Sequence, residues 1–105
     1  MANDLREIVE SPQYQGEDEE LVYALTTTNF GSSPSDPVVV VKDVTDGGST
    51  DVTTDVTIGL PSAFGDIITL PKILGLTAGS FYRVEVQFTS GSNLFESFFY
   101  IRGRE

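Results

Sequence analysis

One hundred and five residues, 11.4 kDa, make one small domain. The formal net charge is −10, from 16 Asp and Glu against 6 Lys and Arg. Such a surface repels phosphate backbones and anionic lipid, which argues against nucleic-acid and membrane partners. With no Cys and no His, the chain lacks thiolate and imidazole chemistry, so zinc hydrolases and Ser-His or Cys-His nucleophile arrangements are excluded. No cofactor is implied. Eleven Val, eleven Thr and ten Gly favour strands and turns.

The opening Met1-Ala2-Asn3-Asp4-Leu5-Arg6 has neither the basic start nor the apolar stretch of a signal peptide. No apolar run reaches membrane-spanning length. The expectation is a chain made in the cytoplasm. Residues 1–18 are read as an N-terminal arm or edge strand, with 5–10 as its strand, and 19–105 as the folded body. The acidic run Glu17-Asp18-Glu19-Glu20 is a solvated lead-in to a strand over 20–28, whose inner set is Leu21, Tyr23 and Leu25.

Pro37 opens the run Val38-Val39-Val40-Val41, too short for a helix, and 37–43 reads as a central strand covered on both faces. The Thr- and Val-rich stretch 50–58 predicts a looser strand. A shorter one at 66–70 ends at Pro71, which has no N–H to give a ladder. Turn clusters Gly31-Ser32-Ser33-Pro34-Ser35-Asp36 and Asp46-Gly47-Gly48-Ser49 separate these segments.

The firmest segment is 81–89, where Tyr82, Val84, Val86 and Phe88 alternate with Arg83, Glu85 and Gln87. A four-residue loop, Ser90-Gly91-Ser92-Asn93, leads into a strand over 94–102. That register sets Phe88 against Phe95, Val84 against Phe99 and Tyr82 against Ile101, all on one apolar face. Six or seven short strands at these spacings predict an all-β, antiparallel two-sheet sandwich.

The stretch Leu76-Thr77-Ala78-Gly79-Ser80-Phe81-Tyr82-Arg83-Val84-Glu85-Val86 resembles the Leu-x-x-Gly-x-x-Tyr-x-Val-x-Val motif of fibronectin type III and related immunoglobulin-like domains. The resemblance implies an immunoglobulin-like sandwich with Tyr82 as the corner tyrosine, Leu76 as a core plug and Gly79 as the turn. The core Trp usual on the second strand of that family has no counterpart, since the chain has no Trp.

A second resemblance covers about four-fifths of the chain, a pattern match rather than an alignment. The layout Asp66-Ile67-Ile68-Thr69-Leu70-Pro71, Leu74-Gly75-Leu76-Thr77-Ala78-Gly79, Tyr82-Arg83-Val84-Glu85-Val86, then a short hairpin into Leu94-Phe95-Glu96, looks like small immunoglobulin-like virion proteins of tailed phages. These are fibre–tail adaptors or baseplate-associated proteins. The resemblance implies a non-catalytic structural subunit located in the virion, with other virion proteins and copies of itself as partners.

With Phe95, Ser97, Phe99 and Ile101 facing inward, Phe81, Leu94, Phe98 and Tyr100 fall on the outer face of the hairpin. The strand 94–102 is expected at a sheet edge, which makes these four residues the candidate protein interface. The competing explanation is that arginines or the N-terminal arm cover the rings. Asp43, Asp46, Asp51 and Asp55 do not follow a calcium-loop spacing, and Asp caps turns unaided, so no metal site is assigned. Two alternative functions remain: capsid decoration, or a carbohydrate or cell-surface module using loops 30–36, 59–65 and 90–93, which carry no Trp or Tyr.

Overall fold

The computed structural model describes residues 5–7, 13–27 and 33–105. Expectations for 8–10, for Thr28, and for the turn and loop residues 30–32 lie outside that range. The chain is an all-β sandwich of two layers. In chain order the strands are β1 (Leu5–Glu7), β2 (Gln13–Gly16), β3 (Ala24–Thr26), β4 (Ser35–Asp43), β5 (Thr50–Asp51), β6 (Thr57–Ile58), β7 (Ser62–Phe64), β8 (Ile67–Thr69), β9 (Lys72–Ile73), β10 (Phe81–Ser90) and β11 (Asn93–Arg104). The larger sheet runs β1-β11-β10-β4-β5, and β2 also pairs with β11. The smaller layer is β3-β8-β7, continued by the β6-β9 pair and a Leu21–Ile73 bridge.

The β10–β11 hairpin has the register that its alternation requires. Phe88 faces Phe95, Val84 faces Phe99, and Tyr82 faces Ile101. The strands extend further than the sequence indicates, to a Ser90–Asn93 pair closed by Gly91-Ser92. Gly91 sits at φ 62, where a two-residue hairpin turn of the glycine-first kind needs it. Behind the hairpin, Val39, Val41, Val84, Val86, Phe88, Phe99 and Ile101 meet Leu25, Ile68, Leu70 and Ile73 of the smaller layer.

Four expectations are corrected. First, β11 is not an edge. β1 pairs with it in parallel along 96–98, and β2 does so along 101–104. Second, β4 is covered on one face only: Val39 and Val41 are buried while Val38 is half exposed, because among the described residues no layer lies on the outer side of its sheet. Third, 50–58 is not a strand throughout. Between β5 and β6 it makes one helical turn, α1 (Thr53–Val56). Asp51 Oδ1 accepts from the Thr53 N–H at 2.9 Å and its hydroxyl at 2.7 Å, and the Thr57 hydroxyl donates to Thr53 O at 2.7 Å. These local bonds compete with a ladder, and the turn buries Val56 in the core. Fourth, the segments outnumber the expected six or seven. The 66–70 strand resumes as β9 after the Pro71 break, and β7 pairs in front of it.

One polar residue ties the layers together. Gln15, on β2, is fully buried. Its amide donates to Glu19 O at 3.0 Å and Ile73 O at 2.7 Å, and its carbonyl accepts from the Tyr23 hydroxyl at 2.8 Å. Both its N–H donors and its carbonyl oxygen have partners, so no polar atom of the side chain is orphaned by burial.

Candidate functional site

The corner assembles as follows. Leu76 is buried, and Gly79 turns the chain at φ 87, in the left-handed region that suits glycine. The Thr77 N–H donates to the Tyr82 hydroxyl at 2.9 Å, back across five residues. Gly103 completes the corner: it accepts from the Gly79 N–H and donates to Ser80 O. A Cβ on Gly103 would collide with the Thr77 carbonyl oxygen. This corner aims β10 and β11, and with them the residues of the outer face.

On that face Phe81, Tyr100 and Phe98 come together. Phe81 stacks on Tyr100 at 4.9 Å between centroids, and Tyr100 meets Phe98 edge-on at 5.6 Å. The Arg102 guanidinium lies over Phe81 at 4.9 Å and that of Arg83 over Phe98 at 4.7 Å. Leu94 stands apart at the turn end, opposite Thr89, beyond the Glu96–Gln87 row. The three rings are half-buried and Leu94 is exposed. Each arginine contact is worth about 0.5–1 kcal/mol at such an exposed site. The guanidiniums therefore orient the rings without sealing them.

The cations are unevenly engaged. Lys42 lies 3.6 Å from Glu85, and Arg83 Nε lies 3.0 Å from the other Glu85 oxygen, an ion pair whose N–H is not aimed as a hydrogen bond. Arg102 and Arg104 make no ion pair among the described residues. Arg104 lies over the half-exposed ring of Tyr14, 4.2 Å from its centroid. Tyr14 extends the ring array onto β2, a link hidden in sequence because 14 and 102 meet only through the parallel β2–β11 pairing.

Two of the four aspartates of the Asp-rich region cap turns. Asp43 accepts from the Thr45 N–H and hydroxyl, as Asp51 does from Thr53. These threonine hydrogen bonds hold the Asp51 carboxyl below its ordinary pKa. Among the described residues no cluster of three or more Asp, Glu, His or Cys could hold a metal, and no helix is long and apolar enough to cross a membrane.

The most exposed apolar side chains lie elsewhere. Phe64 is 90 % exposed and Leu60 87 %, and among the described residues Val22, Ile58 and Ile67 join them on or beside the smaller layer. The strand of Phe64 is weakly marked in the sequence because Ala63, the inward residue of the β7 alternation, is a weak hydrophobic signal. Ser62-Ala63-Phe64 thus reads as loop.

Compared with known proteins, the chain matches no family model, and no curated protein matches it significantly. The fold and surfaces define its class: an all-β sandwich with ring-bearing faces.

Proposed function

We propose that the chain is a non-catalytic structural adaptor of a tailed-phage virion, acting through protein–protein contacts with other virion proteins, on an immunoglobulin-like frame. The observation that carries this reading is the Phe81–Tyr100–Phe98 array with Arg83 and Arg102 over its ends. Tyr, Phe and Arg are the residues enriched at the centres of protein interfaces. The pairing of β1 and β2 along β11 removes strand addition at that edge, so a partner docks on the face. The resemblance of the 66–96 layout to small phage virion proteins supports the setting.

The test replaces Phe98 and Tyr100 together by Ser. Both rings lie on the outer face, so far-ultraviolet circular dichroism of the purified variant stays unchanged. Electron microscopy and protein composition of particles made with the variant then show the subunit missing or assembly arrested. Particles of normal composition overturn the proposal.

A further inference from the structure

We infer that the outer face of the smaller layer is a self-association surface, where a second copy docks face to face about a twofold axis running across the strands. The inference stands independently of the face of β10 and β11.

The chain carries 22 charged residues and a net −10, so two copies repel over most of their surface. The outward positions of β3, β8 and β7 form two rows, Ala24–Thr69–Ser62 and Thr26–Ile67–Phe64. All six are exposed and none is charged. Beyond the first row lie Ile58, 62 % exposed, and Val22, 56 % exposed. On this side two acidic copies meet with carboxylates only at the margins, Glu20 at one end and Asp66 at the other.

The margins fix the axis. Lys72, on β9 opposite Ile58, lies at one end, 3.8 Å from Glu20, and Asp66 lies at the other. An axis along the strands would set Asp66 against Asp66 of the second copy. An axis across them, through the Ala24–Thr69–Ser62 row, brings Lys72 toward Asp66 of the second copy and Phe64 over Ile58. The apolar ends then cover each other, and at the rim Lys72, with Glu20 beside it, faces Asp66, whose carboxylate also accepts from the Ser33 N–H.

Size sets the strength. Three strands by six or seven residues is roughly 15 by 20 Å, well short of the roughly 800 Å² per partner of a standard interface. The pair is therefore weak and concentration-dependent, and it tightens with salt as the repulsion between copies is screened.

The experiment uses the full chain, which has no cysteine of its own. Ser62→Cys places a thiol beside the axis, and Ser92→Cys places one on the exposed hairpin turn as a control. Under mild oxidation the first forms a disulfide dimer at least about tenfold faster, the mark of a pre-formed pair. Adding Phe64→Asp, at a position too exposed to affect folding, abolishes that advantage. Sedimentation equilibrium of the unmodified chain shows dimer at millimolar concentration, increasing with salt. Equal oxidation rates for the two variants, or a monomer at every concentration and salt, overturns the inference. The Phe98 and Tyr100 double variant retains the dimer, so failure of one surface is distinguishable from failure of the other.

Discussion

Gly103 shows how one missing side chain positions a surface. It lies against the Thr77 carbonyl, where any Cβ would collide, and its own amide and carbonyl bond across the corner. Gly103→Ala must push the corner apart and is expected to cost about 1–3 kcal/mol, the range for overpacking, read as a lower denaturant midpoint. Tyr82→Phe leaves the Thr77 N–H unpartnered and is expected to cost about 1 kcal/mol. Tyr23 carries a pH dependence: burial, aided by the nearby Glu19 carboxylate, pushes its hydroxyl up to about 12 from the ordinary 10.0. A raised pKa means that the folded chain holds this proton more tightly than the unfolded chain. The stabilisation is complete below pH 10 and lost as pH rises from 10 toward 12. Urea unfolding across that interval is expected to show the decline, and Tyr23→Phe to flatten it.

At the scale of elements, β2 is held by more than its ladder. Gln15 joins β2 to β9 and to Tyr23 through one hydrogen bond each, and a third goes to the Glu19 carbonyl. Gln15→Ala strands the Tyr23 hydroxyl and empties a buried site, so a loss of about 2–4 kcal/mol is expected, combining the cavity with the unsatisfied group. Hydrogen exchange at Leu21 and Ile73 checks that the loss is local to this junction. Nothing in Gln13-Tyr14-Gln15-Gly16 announces that junction in sequence, because a buried glutamine gives no apolar signal. By contrast, the β10–β11 register was fully legible: strict alternation on both strands and a short turn leave one pairing that buries every inner ring. The Thr50–Ile58 stretch was misread for the opposite reason. Its composition favours a strand, and only the Asp51 and Thr57 side-chain bonds, which depend on spacing, turn it into α1. The candidate site divides in the same way. Phe81, Phe98 and Tyr100 followed from alternation, whereas Tyr14 and Phe64 depended on a distant pairing and on a small inward residue.

Across the whole molecule, the two layers carry surfaces of different character. One outer face joins rings to arginines, and the other is uncharged along β3, β8 and β7, with Ile67 and Phe64 exposed. On the two proposals made above, the subunit binds a neighbour through one face and a copy of itself through the other. The acidic remainder of the surface restrains association elsewhere.

The parallel pairing of β2 with β11 joins Gln13 to Ile101, 88 positions along the chain. A ribosome must release the chain through β11 before β2 can find its place, so β2 waits unpaired while the residues between are made. Native contacts this far apart in sequence make for slow folding, in the millisecond-to-second range. Stopped-flow refolding should therefore show β2 joining last, after the hairpin it covers.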